Sequence, residues 1–167
     1  MAVLDIKRYP EHVLTKKASP VNGIDGNIQR LIDDMIETMY AAPGVGLAAP
    51  QVGISKQLMV IDVRPKEEHP LIVLINPEIV YADGTVESEE GCLSVPKYVV
   101  RINRAERVVA RGLDREGNKA EIDATGFLST AIQHEIDHLN GILIIDRLGP
   151  LRKELFRKRY QKILKGE

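Results

Sequence analysis

Residues 134–138 read His-Glu-Ile-Asp-His, and this string constrains the fold more than any other stretch of the chain. On a helix, His134 and His138 stand one turn apart on the same face and can grip one metal ion, with Glu135 beside them to move protons for a water. Two imidazoles leave a catalytic metal one protein ligand short, so another segment must be folded against that helix. The extension used by some metalloproteases adds Gly and His along the same motif; it fits Gly141 but fails at Ile144. The nearest downstream glutamates, Glu154 and Glu167, lie in a basic tail that reads as solvent-facing. The single cysteine, in Glu90-Gly91-Cys92-Leu93-Ser94, is the best candidate. A thiolate with two imidazoles makes a soft site suited to iron(II), zinc, cobalt or nickel.

Periodicity sorts the faces of the motif helix. At about 100° per residue, Leu128, Ile132, Ile136 and Leu139 share one face, which must be core. Ser129, Gln133, Asp137 and Asn140 share another, which reads as solvated. Phe127, Ala131, His134 and His138 form a third stripe. The histidines therefore stand in line with an aromatic ring and a small residue, as in a lined pocket rather than on an open surface.

The 167 residues suffice for one domain with its own core, spanning 1–167. A net charge of −1 favours no particular partner through the whole-molecule field, and nothing marks specific DNA recognition. One cysteine cannot form an internal disulfide. That fits a reducing compartment, the cytoplasm or the interior of an organelle, and a thiol kept for chemistry. No apolar run has the length of a signal peptide or a membrane span.

Along the chain, prolines and glycines break residues 10–25 into an irregular segment with one helical turn. Ile28, Leu31, Ile32, Met35, Ile36 and Met39 make residues 27–40 an amphipathic helix, capped by Asp25 or Asn27. Residues 41–53 hold two prolines and three glycines and favour sharp turns and close backbone approach. Buried strands are expected at 58–63 and 71–75 with a charged loop between them, a turn between short strands at 81–86, and strands at 98–102, 107–113 and 120–122. Residues 114–118 read as a hairpin turn. The motif helix spans about 125–140 with Gly141 as its C-cap, and a last helix spans about 150–165. Together these predict an α+β domain with mostly antiparallel sheets around the motif-bearing helix and a C-terminal helix.

Three motifs occur in order: Gly44-Val45-Gly46-Leu47-Ala48-Ala49-Pro50-Gln51, Glu90-Gly91-Cys92-Leu93-Ser94 and Gln133-His134-Glu135-Ile136-Asp137-His138. Together they resemble the three signature motifs of peptide deformylase, of the bacterial and organellar type, and the resemblance extends over nearly the whole chain. The family removes the formyl group from nascent polypeptides that begin with formyl-methionine. The resemblance implies a metal held by Cys92, His134 and His138, commonly iron(II), with nickel, cobalt or zinc accepted. A divalent metal lowers the pKa of bound water from about 15.7 to about 7. The resemblance makes Glu135 the general base and then acid, and adds the Gln51 amide and the Leu93 backbone N–H as donors to the oxyanion. It also suggests a Glu90–Arg104 ion pair.

The glycine segment can serve the substrate: Gly44 and Gly46 leave backbone groups open to an added peptide strand. Val45, Phe127 and Ala131 are the expected lining for a methionine side chain, with Glu90 and Gly91 at the same site. Many relatives carry an arginine a few residues after Pro96; here Lys97 and Arg101 are the available substitutes. In the tail, Arg152, Lys153, Arg157, Lys158, Arg159, Lys162 and Lys165 oppose an apolar side of Leu151, Leu155, Phe156, Tyr160, Ile163 and Leu164. This is either a solvated helix packed on the domain or a contact with ribosomal RNA phosphates. Two rival functions are a metalloprotease, disfavoured by Cys92 and Ile144, and a ribosome-binding module with a structural zinc, which would need neither Glu135 nor Gln51.

Overall fold

The computed structural model describes residues 2–166. Helix α1 (Gly26–Ala41) starts where the Asp25 carboxylate accepts from the Ile28 N–H at 3.0 Å, which answers one of the unpaired donors at a helix start. A short strand β1 (Gly46–Ala48) and a single 3₁₀ turn (Ala49–Val52) follow. Strands β2 (Leu58–Ile61), β3 (Ile72–Asp83), β4 (Val86–Cys92), β5 (Val95–Arg104), β6 (Arg107–Leu113) and β7 (Lys119–Thr125) lead into helix α2 (Gly126–Leu139). A 3₁₀ turn (Ile144–Arg147) and helix α3 (Pro150–Leu164) follow α2, and another 3₁₀ turn (His12–Thr15) precedes α1 in the irregular opening segment.

Five strands pair antiparallel in the order β1-β2-β3-β6-β7, and β4 pairs with β5 as a separate ribbon. The architecture is α+β, as the order of patterns predicted. β2 is buried along its whole length because it has a helix on each side. Leu58 and Val60 belong to the cluster built on α1 with Ile32, Met35 and Met39, whereas Met59 and Ile61 belong to the one built on α2 with Ile132, Ile136 and Leu139. A third cluster joins the β4–β5 ribbon to α3 through Val95, Val100, Ile102, Leu148, Phe156 and Tyr160. Helix α2 thus lies on the sheet with β4–β5 running beside it, which is the arrangement the missing metal ligand demanded.

Two expected faces are corrected. Ser129 and Asp137 are buried, at 0% and 6% exposure, and only Asn140 of the supposedly solvated face is exposed. Gln133 clamps the backbone of Ala105, accepting from its N–H and donating to its C=O, both at 2.9 Å, and Ser129 donates to the same carbonyl. Periodicity cannot tell a polar side chain that faces water from one that pairs with buried backbone. On α3, Phe156 and Tyr160 are buried, but Leu151, Leu155 and Leu164 are exposed. The helix therefore docks through two aromatic rings rather than through a continuous apolar side.

Candidate active site

Cys92 ends β4, and His134 and His138 project from successive turns of α2. Their ligand atoms all lie within 4.8 Å of one another. His138 Nε2 is 3.2 Å from His134 Nε2 and 3.3 Å from Cys92 Sγ. Two ring nitrogens and a sulfur gathered this closely form a group that could hold a cation, and the donor set fits a divalent metal of intermediate softness. The opposite nitrogen of His134, Nδ1, is 3.0 Å from Glu90 Oε1, which fixes how the ring faces the site. His138 Nδ1 is buried with no hydrogen-bond partner among the described residues.

Behind His134 runs a chain of buried charge. Arg104, 4% exposed, donates twice to Glu90 at 2.9 and 2.8 Å and once to Asp137 at 2.6 Å. Arg147 grips Asp137 from the other side at 3.0 and 2.6 Å. Burial alone would raise the Glu90 carboxyl, but hydrogen bonds from Arg104 and His134 outweigh it and hold the carboxyl at about 2. Burial likewise opposes charge on His134, yet the charge on Glu135 and the contacts with Cys92 and Glu90 leave its pKa raised. At His138, burial and the positive charge of His134 act together and push the pKa down.

Glu135 sits beside the donor set, 4% exposed, with Oε1 unpartnered among the described residues. Burial pushes its carboxyl up to about 7, where a group both accepts and releases a proton readily. Gln51, 1% exposed, is fixed at both ends of its amide. Oε1 accepts from the Ala48 N–H at 3.0 Å, and Nε2 donates to Ser94 Oγ at 3.1 Å and points toward Cys92 Sγ at 3.8 Å. These groups line a cleft of about 720 Å³.

The family model for polypeptide deformylase matches residues 3–154. The peptide deformylase of Thermodesulfovibrio yellowstonii is 58% identical over 162 residues, covering 96% of this chain and 98% of that protein. That of Syntrophobacter fumaroxidans is 54% identical, covering 99% and 98%. The chain belongs to the polypeptide deformylase family. Among solved structures, a peptide deformylase from Legionella pneumophila superposes with a TM-score of 0.91 at 46% identity, covering 98% of this chain and 96% of that one. One from Ehrlichia chaffeensis in complex with actinonin gives 0.92 at 39% identity, covering 97% and 98%.

Within this deformylase-family cleft the structure brings together nearly all the residues singled out from sequence. Gly44, Val45 and Gly46 line one wall, Phe127 and Ala131 the other, and Glu90, Gly91 and Leu93 lie at the Cys92 end. His138 alone stands behind the lining, 1% exposed. Lys97 lines the cleft and Arg101 does not; Arg101 faces Glu87 at 3.8 Å. Sequence reasoning missed Ser94, which holds both the Gln51 amide and, through its N–H, Cys92 Sγ at 3.4 Å. It also missed Asp137 and Arg147. Asp137 was visible inside the His-Glu-Ile-Asp-His string, but its partners are distant in sequence.

Proposed function

We propose that this chain is a metal-dependent hydrolase that removes the N-formyl group from formyl-methionine at the start of nascent polypeptides and releases formate. The observation that carries the reading is the convergence of Cys92, His134 and His138 at one point of a cleft that also holds buried Glu135. Those three side chains would hold the ion, with iron(II) the native metal and zinc, nickel or cobalt able to replace it. The bound metal supplies Lewis-acid activation of water and of the formyl oxygen.

The chain's own residues do the rest. Glu135 takes the proton from the attacking water and passes it to the departing amine, which is a poor leaving group until protonated. The Gln51 Nε2 amide and the Leu93 N–H donate to the oxygen that gains charge as the formyl carbon becomes tetrahedral; one such donor is worth about 2.7–4 kcal/mol. Gly44 and Gly46 offer backbone to the peptide, and Val45, Phe127 and Ala131 receive its first side chain. Glu90 orients His134, and Arg104 orients Glu90.

The test is formate release from a formyl-Met tripeptide by anaerobically purified, iron-loaded protein, with chelated protein as control. Metal-dependent formate with the remaining peptide intact is the expected result, and Glu135→Ala should keep the metal while losing nearly all turnover. Internal peptide cleavage, or no formate from folded, metal-loaded protein, would overturn the reading.

We further infer that α3 meets the ribosome. Phe156 and Tyr160 anchor it, leaving Arg152, Arg157, Lys158, Arg159 and Lys162 exposed to meet RNA phosphates. Co-sedimentation with ribosomes should weaken steeply with salt; salt-insensitive binding, or none, would refute this contact. Among the described residues no helix is long and apolar enough to cross a membrane. The reading places the protein where formylated chains are made, in the cytoplasm or inside an organelle.

A further inference from the structure

We propose that the segment 62–67, which carries no catalytic group, sets the cleft's selectivity for the substrate's first side chain, with Glu67 as a positioning residue and Lys66 as the residue that braces the pocket wall. The proposal rests on the deformylase reading above.

The segment leaves β2 and reaches both walls of the cleft. On the first wall, the Asp62 N–H donates to the carbonyl of Val45 at 2.8 Å, and the Asp62 carboxylate accepts from the hydroxyl of Tyr40 in the last turn of α1. On the second wall, α2 begins at Thr125 without a side-chain cap of its own. Glu67, sixty residues upstream of that first turn, takes the role: its carboxylate accepts from Phe127 N–H at 3.3 Å and Leu128 N–H at 2.8 Å. The backbone there is shaped around this carboxylate. Gly126 has φ +61°, and a β-carbon on it would lie 2.6 Å from Glu67 Oε2. Lys66 completes the grip, with its ammonium 4.5 Å from the centroid of the Phe127 ring while its side chain lines the cleft.

Val45 and Phe127 are apolar residues that both line the proposed pocket, and one short segment is bonded to the backbone of both. The gap between them is therefore set by residues 62–67. An unbranched side chain such as methionine's enters a narrow slot that a β-branched one cannot fill without widening it. Freeing the first turn of α2 releases Phe127 and relaxes that limit, while the metal ligands further along the helix keep their place against Glu90, Asp137 and the sheet.

The experiment compares formyl-Met, formyl-Leu and formyl-Ile tripeptides on metal-loaded full-length wild type, Glu67→Ala, Glu67→Gln and Lys66→Ala. Glu67→Ala should raise KM for the formyl-Met peptide about tenfold with kcat within about twofold, and should shrink the Met-over-Ile ratio of kcat/KM by a similar factor. The carboxylate uses one oxygen for each N–H, so Glu67→Gln, which keeps an acceptor for only one of them, should restore part of the preference. Lys66→Ala keeps the cap and should move the ratio in the same direction by less, so the proposal stays testable if Glu67→Ala does not fold. Equal loss of kcat on all three peptides with an unchanged Met-over-Ile ratio, or no change at all, would overturn the proposal and leave the deformylase reading intact. Failure of the wild type to release formate from any of the peptides would overturn the deformylase reading itself.

Discussion

Gly46 is held to glycine by Glu135. A β-carbon at that position would lie 2.5 Å from Glu135 Oε2 and 2.9 Å from its carboxyl carbon, far inside van der Waals contact. The sequence suggested openness to a peptide strand as the reason for Gly46; the structure adds that the proposed proton carrier needs the space. Gly46→Ala should therefore displace the Glu135 carboxylate and leave Cys92, His134 and His138 untouched. A misplacement of about 1 Å can cost about a hundredfold in rate, so turnover should fall by that order with metal content unchanged in elemental analysis. Full activity, or loss of the metal, would show that the contact is not what holds Glu135. Asp137 teaches the converse lesson. It stands three residues from His134 on a face that looked solvated, yet it ends a buried chain running through Arg104 and Glu90 to the His134 ring. Such a residue is legible only through its partners, and both Arg104 and Arg147 lie outside the motif.

At the scale of elements, legibility followed burial. α1 and β2 were readable because each buries a regular set of apolar side chains: a stripe in α1, and both faces in β2. β4 was legible only as a short strand after the turn at 81–86 and not in its extent, since Val86-Glu87-Ser88-Glu89-Glu90-Gly91-Cys92 forms half of a two-stranded ribbon with much of its surface in water, and its pairing with β5 holds it in place. β1 escaped because it is three residues long, begins on a glycine and follows Pro43 and Gly44 in the chain. Cys92, His134 and His138 of the candidate metal site could be singled out from sequence, whereas the extent of the strand carrying Cys92 could not, because ligand chemistry is local and ribbon pairing is not. α3 lies between these cases. Its length was readable, but its docking depends on Phe156, which is fully buried and packs edge-on against Tyr98 at 4.6 Å and Tyr9 at 5.7 Å. With Leu151, Leu155 and Leu164 exposed, Phe156 shares the anchoring of the helix chiefly with buried Tyr160. Phe156→Ala should cost about 3–5 kcal/mol by denaturant unfolding. A loss below about 1 kcal/mol, the scale of an exposed substitution, would mean that α3 is held by other contacts.

For the whole molecule, the cleft forms where the cores around α1 and α2 meet the edge of the third, and Asp62 sits at the first of these seams. It is nearly inaccessible, binds Arg64 at 3.0 and 2.7 Å and accepts from Tyr40, so it ties β2 to the end of α1. Hydrogen bonds from Arg64 are the main cause of a carboxyl pKa lowered well below the usual range; burial opposes them and Tyr40 reinforces them. The sign of the pH effect follows from that direction. The folded value lies below the unfolded value of about 3.9, so the contribution is fully present above about pH 5 and is lost as pH falls through the folded value. Arg64 is half exposed, which screens the pair, so Asp62→Asn should cost about 1–2 kcal/mol at neutral pH. The stability gap between wild type and Asp62→Asn should stay flat from about pH 8 to pH 5 and narrow progressively below about pH 4. It is read from urea unfolding at each pH. A gap that held constant down to about pH 3 would show that the charge on Asp62 plays no part in closing this seam.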